Sequence, residues 1–184
     1  MRKDLGVKPY LYPQLVMIIA TYDKDGNPNA MNAAWGGMAD YDKVMVCMSS
    51  HKTTENIAIH NEFTISIGDA QHVKECDYVG IVSQHKEPKK MEKANFTTTK
   101  AKFVNAPIIN ELKLCLECRL IKIVEEDLYL AQIVNVNADE SILDENGNVS
   151  LEKFIPISYD PSTHGYYKVQ GRVGNAFSDG NKLK

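Results

Sequence analysis

Six consecutive residues, Ser49-Ser50-His51-Lys52-Thr53-Thr54, combine four hydroxyl groups with a lysine and a histidine. They follow the apolar run Val44–Met48, which is typical of a strand, and a helix is expected to begin near Thr53. Backbone N–H groups at a helix N-terminus attract anions, and hydroxyl and ammonium groups are good donors to a phosphate. The segment therefore predicts a phosphate site, although its composition also fits a plain polar connection capped by a threonine. The Walker spacing is absent, which disfavours a nucleoside triphosphate with magnesium.

A second unusual stretch, Asn29 to Gly37, carries the only tryptophan, Trp35, among small residues. Small side chains let a planar ring approach the backbone closely, and peptide groups can then hydrogen-bond the edge of that ring. Core packing of Trp35 beside a glycine bulge is the alternative. A site for a flat heterocycle at one end and for a phosphate at the other describes a mononucleotide, and flavin mononucleotide (FMN) fits this asymmetry.

Length and charge limit the other possibilities. The 184 residues fit one domain, and the formal net charge of −3 with a pI near 6.0 gives no electrostatic footprint for nucleic acid or an anionic membrane. The apolar run Leu15–Ala20 is far shorter than the roughly 18 residues that a membrane helix requires. We therefore expect a cytoplasmic protein without nucleic-acid or membrane partners.

The four cysteines are expected to be reduced thiols in the core. Cys115 and Cys118 have the C-x-x-C spacing of redox and zinc motifs, but they lie in a run that alternates with period two. Residues three apart in a strand point to opposite faces, so this pair cannot chelate one ion or close an ordinary disulfide. The five histidines show no metal-ligand spacing, and no metal site is predicted.

The elements that must position these residues are mainly strands. We expect strands at Leu15–Thr21 and Ala30–Trp35 joined by a turn at Asp25-Gly26, a third strand of the same meander at Val44–Met48, helices near 53–62 and 73–83, a strand at Phe63–Ile67, and a long hairpin of Leu112–Val124 with Leu128–Ala138. Short strands separated by turns, with few short helices, predict an antiparallel sheet closed or nearly closed into a barrel. A parallel α/β fold would need longer helices between strands, and the G-x-G-x-x-G fingerprint is missing.

Several ordered motifs span nearly the whole chain: Tyr12-Pro13 with Val16, Thr21–Met38, Ser49–Ile57, Asp77–Ser83, Ala106–Ile109, Leu116–Cys118, Tyr159–Pro161 and Gly165–Lys168. Together they resemble the flavin reductase-like, flavoredoxin-type family of FMN-binding split-barrel proteins. The resemblance implies a mainly β single domain over residues 1–184, built as a six-stranded antiparallel Greek-key split β-barrel with short helices. It also implies a homodimer with FMN near the subunit interface.

The resemblance further implies a set of cofactor-binding residues. Those expected beside the flavin ring are Asn29, Ala30, Met31, Asn32, Ala33 and Trp35; those expected at the phosphate are Ser49, Ser50, His51, Lys52, Thr53 and Thr54, with Asn56, Ser83 and Lys90 completing the set. One departure affects the last of these. Family members often continue the equivalent of Ser83 with Gly-Arg and a later lysine, whereas here Gln84 and His85 follow, and Lys89 and Lys93 compete with Lys90 for that role. No side chain is expected to act as a catalytic group, because the flavin performs the redox chemistry.

The sequence leaves open how the flavin would be used. One reading is an NADH- or NADPH-dependent flavin reductase, in which the nicotinamide binds transiently over the flavin. Another is an electron carrier of the flavoredoxin kind that exchanges electrons with a protein or small-molecule partner, and a third is a flavin-binding module without redox use. The absence of a dedicated nicotinamide motif slightly favours the carrier, but split-barrel enzymes do not need one.

Overall fold

The computed structural model describes residues 1–183. Its strands are β1 (Gln14–Leu15), β2 (Met17–Tyr22), β3 (Pro28–Ala33), β4 (Gly36–Asp40), β5 (Lys43–Cys47), β6 (Glu62–Ile67), β7 (Thr98–Lys100), β8 (Pro107–Ile109), β9 (Leu114–Val124), β10 (Leu128–Ala138), β11 (Ile157–Asp160) and β12 (Gly165–Lys168). Its α-helices are α1 (Lys52–His60), α2 (Val73–Ile81) and α3 (Lys90–Lys93), and two short 3-10 helices lie at Glu140–Ile142 and Asp179–Leu183. The fold is therefore mainly β with a few short helices, as predicted.

Seven strands form the principal sheet in the order β3-β2-β6-β9-β10-β5-β4, with antiparallel pairs throughout. The two edge strands, β3 and β4, are consecutive in the chain, and only Ala34 and Trp35 separate them. The sheet must therefore curl until its edges approach each other. This curled antiparallel half-barrel is the predicted split-barrel architecture, in which β3 and β4 are two parts of one of the six segments.

The predicted three-strand meander is wrong in one respect. β2 and β3 pair as expected around the Asp25-Gly26 turn, but β3 does not pair with β5. Instead β5 pairs with β10, and with β4, a strand that the sequence analysis missed. The missed strand is rich in glycine, which is uncommon within strands. Gly36 has a structural reason, because a Cβ there would lie 2.6 Å from the carbonyl oxygen of Met45 in the neighbouring strand.

Alternation along the strands divides the core into two layers. Inside the half-barrel, Ile19, Phe63 and Ile65 are at most 1% exposed and pack with side chains from β5, β9 and β10. On the outer face, Ile18 packs with Val79 of α2 and with other buried residues. α2 is thereby held across β2 and β3, which fixes where its C-terminal end projects.

All four cysteines are free thiols. Cys118 belongs to the interior core, whereas Cys115 faces the outer side next to Ser66 and Thr64, so the prediction that the C-x-x-C pair is split between two faces is confirmed. Burial raises the pKa of Cys115 to about 11 and that of Cys76 to about 12. Within residues 1–183, no helix has the length and apolar character needed to span a membrane.

Candidate functional site

A cavity of about 220 Å³ lies where β3, the start of α1, the end of α2 and the start of α3 meet. We call it the inner cavity. It is lined by Asn29, Met31, His51, Lys52, Thr53, Val79, Gly80, Ile81, Val82, Ser83, Gln84 and Lys90. Residues predicted from four separate segments of the sequence are thus brought to one place.

The start of α1 forms one wall of the inner cavity. The helix begins one residue earlier than expected, because His51 rather than a threonine is its N-cap residue. Thr54 supports this start: its Oγ1 accepts the backbone N–H of His51 at 2.9 Å and donates to the carbonyl oxygen of His51 at 2.8 Å. The first helical bond runs from the N–H of Glu55 to His51. The N–H groups before it remain at the positive end of the helix dipole, next to Lys52.

Asn29 joins β3 to this helix start. Its Nδ2 donates to Oγ1 of Thr53 at 2.8 Å, and both residues are 1% exposed. The other amide atom of Asn29, Oδ1, is buried and has no hydrogen-bond partner. A buried acceptor without a partner costs free energy, so this oxygen is available to a ligand that carries hydroxyl groups.

Lys90, the first residue of α3, provides a buried positive charge in the lining of the inner cavity. The residue is 3% exposed, and no hydrogen bond or ion pair to its ammonium group occurs in the part of the chain that the structure describes. Burial lowers the pKa of Lys90 to about 8, because desolvation penalises the charged form. The other two candidate lysines are exposed and lie near carboxylates: Lys93 pairs with Glu87, and the ammonium group of Lys89 is 3.7 Å from the carboxylate of Glu92. Among the three lysines, Lys90 is the one that lines the inner cavity.

Gln84 was not among the predicted site residues, although it lines the inner cavity. Its Nε2 donates to the carbonyl oxygen of Pro28 at 3.0 Å, and its buried Oε1 has no partner. The signal in the sequence was the departure from the family pattern directly after Ser83. The C-terminal end of α2 was also missed as a wall, because sequence alone does not place a helix end against a distant strand.

The remaining predicted residues lie outside the inner cavity. Ala30 and Ala33 are buried in the two core layers, Asn32 donates to the carbonyl oxygen of Cys76 at 3.0 Å, and Asn56 donates to Oγ1 of Thr21 at 3.1 Å. Ser49 and Ser50 are exposed just before α1. The contact of Asn32 joins β3 to α2, and that of Asn56 joins α1 to β2. These residues therefore support the elements around the cavity without lining it.

Trp35 borders a different cavity, of about 520 Å³, which we call the Trp35 cavity. Its lining comes from the crossing between β3 and β4 and from the N-terminal segment: Lys8, Pro9, Tyr10, Leu11, Pro13, Gln14, Ala34, Trp35 and Gly36. Trp35 is 54% exposed and is therefore not a core residue. In the described residues 1–183, Trp35 and Lys52 line different cavities.

Residues 10–164 match the model of the flavin reductase-like domain, and the chain belongs to this family. Among solved structures, the chain is similar to a flavoredoxin of Desulfovibrio vulgaris (Miyazaki F), with a TM-score of 0.94 and 32% identity over 98% of this chain and 100% of that one.

Two further solved structures are also similar to this chain. A flavoredoxin from Methanosarcina acetivorans matches with a TM-score of 0.88 and 25% identity over the whole of both chains. An FMN-binding domain of a flavin reductase-like enzyme from Shewanella baltica OS155 has the same fold, with a TM-score of 0.79 and 19% identity over 89% of this chain and 90% of that one. The family implies FMN binding.

The chemistry of the inner cavity fits part of an FMN molecule. A phosphate suits the helix N-terminus with Lys52 and the buried ammonium of Lys90, and a ribityl hydroxyl suits the unpartnered oxygen of Asn29. Sites for small molecules usually have volumes of about 300–1,000 Å³. The inner cavity is smaller, so it is suited to the polar tail of a flavin rather than to the whole molecule.

Proposed function

We propose that this protein is an FMN-dependent oxidoreductase that passes hydride or electrons through its bound flavin. The observation that carries the proposal is the inner cavity, where an unpaired buried ammonium, an unpaired buried amide oxygen and a helix N-terminus meet. Each is unfavourable or unsatisfied without a ligand, and an anionic, hydroxyl-rich tail would satisfy all three.

The residues of this chain would bind and orient the cofactor, while bound FMN would supply the redox chemistry. Lys52 and the N–H groups that start α1 would hold the phosphate, with Ser49 and Ser50 adding hydroxyl donors from the preceding loop. Asn29 would accept a hydroxyl of the ribityl chain. Lys90 would contribute positive charge, which favours an anionic cofactor and stabilises the negative charge that reduced flavin acquires.

We propose that the ring end of the site is completed by a second copy of the chain, with FMN near the interface. The support is that all five residues of edge strand β4 are exposed, and that exposed Trp35 and Met38 lie along this edge. An exposed edge strand with apolar side chains favours pairing with another surface. In such a homodimer Trp35 would lie beside the flavin ring, as the sequence analysis expected.

The flavin could serve an electron carrier or an NADH- or NADPH-dependent reductase. The similarity to flavoredoxins supports the electron carrier, with a protein or small molecule as its partner. Reduction by NADH or NADPH remains the second candidate. Anaerobic mixing of the FMN-loaded protein with each nucleotide separates them. Rapid loss of the flavin absorbance near 450 nm would establish a reductase and contradict a carrier that depends on another protein, whereas an unchanged spectrum is the result expected for the carrier.

Binding itself is tested by titrating the apoprotein into FMN and following flavin fluorescence. We expect saturable quenching with a stoichiometry of one FMN per chain, and weaker quenching of riboflavin, which lacks the phosphate. Equal affinity for the two flavins would contradict a phosphate site at the start of α1. Absence of quenching by either would contradict the proposed function as a whole.

We propose a cytoplasmic location. The support is that all four cysteines are free thiols, which is typical of proteins in a reducing compartment.

A further inference from the structure

The loop between α2 and α3, residues 82–89, forms part of the inner cavity, and we call it the bridging loop. Three of its residues line the cavity: Val82, Ser83 and Gln84. The loop folds back on itself at Ser83, whose carbonyl oxygen accepts the backbone N–H groups of Lys86 at 3.0 Å and of Glu87 at 3.1 Å. It is therefore a compact turn beside the expected position of the flavin tail.

Two side-chain hydrogen bonds join the bridging loop to other elements that line the inner cavity. Nε2 of Gln84 donates to the carbonyl oxygen of Pro28, at the start of β3, at 3.0 Å. Nε2 of His85 lies 3.0 Å from Oε1 of Glu55, in the first turn of α1. Because an ionised carboxylate only accepts hydrogen bonds, Nε2 of His85 is the ring nitrogen that carries the proton and donates.

Glu55 connects the bridging loop with the proposed phosphate position. Its other carboxylate oxygen, Oε2, is 3.6 Å from the ammonium group of Lys52, which lines the inner cavity. The hydrogen bond from His85 holds the pKa of Glu55 below its ordinary value, so the carboxylate is charged at neutral pH. One carboxylate thus contacts Lys52 on its own helix and His85 on the bridging loop.

Both contacts of the bridging loop come from residues that depart from the family pattern. Family members often have Gly-Arg where this chain has Gln84-His85. A glycine has no side chain that could reach Pro28. An arginine could pair with the carboxylate of Glu55 in place of His85, which provides a conservative substitution for the test.

We propose that the hydrogen bond between His85 and Glu55 is a clasp that holds the bridging loop to α1 and slows the release of FMN. Both are positioning residues, because neither lines the inner cavity. The inference rests on the proposed function, since it takes the position of the flavin tail from it. A contact that joins two walls of a cavity must open when a ligand leaves between them, so it acts on the dissociation rate.

The test measures how fast FMN leaves the loaded protein, from the recovery of flavin fluorescence after dilution. The side chains of His85 and Glu55 are 54% and 49% exposed, and contacts between exposed charged side chains are weak, so His85→Ala should release FMN about threefold faster. The association rate should change by less than about twofold, since the clasp acts on release. His85→Arg should restore slow release. Lys86→Ala, an exposed position on the same loop, is the matched control and should leave the release rate unchanged.

Glu55→Ala completes a double-mutant cycle with His85→Ala. This substitution also removes the carboxylate beside Lys52, so the deciding quantity is the effect of His85→Ala in its background, which should vanish. A threefold effect that persists in the absence of Glu55 overturns the clasp. Release from His85→Ala at the rate of the unmodified protein, or equally fast release from His85→Arg and His85→Ala, also overturns it.

Hydrogen exchange of the apoprotein separates failure of the clasp from failure of the proposed function. The backbone amides of the bridging loop should exchange about threefold faster in His85→Ala than in the unmodified chain, and this measurement needs no bound flavin. An unmodified chain that does not bind FMN overturns the proposed function. Unchanged exchange in a chain that binds FMN overturns the clasp alone.

Discussion

The inner cavity and the Trp35 cavity, which are expected to border the two ends of one flavin, are built in opposite ways. The inner cavity is made by four segments locked together by buried contacts, such as the hydrogen bond from Asn29 to Thr53. The Trp35 cavity is made by an exposed strand crossing and by an N-terminal segment whose residues before Gln14 are all exposed. The inner cavity is thus enclosed by segments of one chain, whereas the Trp35 cavity is bordered by a large exposed surface.

This difference has an energetic reason. A phosphate site needs donors with fixed positions, since charge-assisted hydrogen bonds depend on geometry, and buried segments provide that rigidity. A flat ring needs mainly apolar area, which a second chain can supply. We therefore expect substitutions in the inner cavity to have larger effects on FMN affinity than substitutions in the Trp35 cavity.

The largest effect is expected for Lys90→Met, which removes the buried ammonium and keeps the side-chain volume. A hydrogen bond to a charged group contributes about 1.5–3 kcal/mol, so FMN affinity should fall roughly 10- to 100-fold. Fluorescence titration measures this loss of FMN affinity. Lys93→Met is the control, because Lys93 is exposed and pairs with Glu87. Equal effects of the two substitutions would contradict the role of Lys90.

The pH dependence of FMN affinity is a second test of whether Lys90 binds FMN. The pKa of Lys90 is about 8 in the free protein, below its ordinary value, so its charged form disappears as the pH rises through 8. An anionic ligand binds the charged form better, and affinity should therefore fall about tenfold between pH 7 and pH 9. Lys90→Met should lose this dependence, and an unchanged slope in the variant would assign the titration to another group.

The same shift has a consequence for the stability of the apoprotein. Between pH 8 and the ordinary lysine pKa of about 10.4, the unfolded chain binds more protons at this position than the folded chain does. The contribution of Lys90 to the free energy of unfolding therefore increases with pH in this window. Urea unfolding at two pH values, compared between the unmodified chain and Lys90→Met, measures that contribution.

A smaller effect is expected for Asn29→Leu, which is similar in size and removes the unpartnered Oδ1 together with the hydrogen bond from Nδ2 to Thr53. One neutral hydrogen bond contributes about 1 kcal/mol, so the affinity for FMN should fall about fivefold. Riboflavin should lose the same factor, because the ribityl chain is common to both flavins. A loss for FMN alone would place Asn29 at the phosphate instead.

The smallest effect is expected for Trp35→Ala. An aromatic contact contributes about 0.5–1.5 kcal/mol beyond its buried area, and a single exposed tryptophan should change FMN affinity about threefold at low protein concentration. If the ring end is completed by a second chain, the effect should grow with protein concentration as the dimer forms. Sedimentation velocity with and without FMN measures that dependence, and a loss of affinity as large as that of Lys90→Met would remove the contrast between the two ends.

Local signals in the sequence were sufficient for much of the fold. The Asp25-Gly26 pair located the first hairpin, and the alternation in Leu112–Val124 and Leu128–Ala138 matches the long hairpin of β9 and β10. They could not show that β3 and β4 occupy opposite edges of the sheet. That arrangement depends on closure of the whole half-barrel, which no stretch of a few residues encodes.

Some residues of the candidate site could be predicted from local sequence, and others could not. The hydroxyl-rich segment before α1 was visible because its residue types are unusual together. Choosing among Lys89, Lys90 and Lys93 was not possible, because α3 spans four residues and burial differs at adjacent positions.

Burial of the cysteines bears on their own reactivity. Because the pKa values of Cys76 and Cys115 lie far above neutrality, these side chains stay protonated and are poor nucleophiles towards alkylating agents and peroxides. Native protein should therefore resist iodoacetamide at these positions and react only after denaturation.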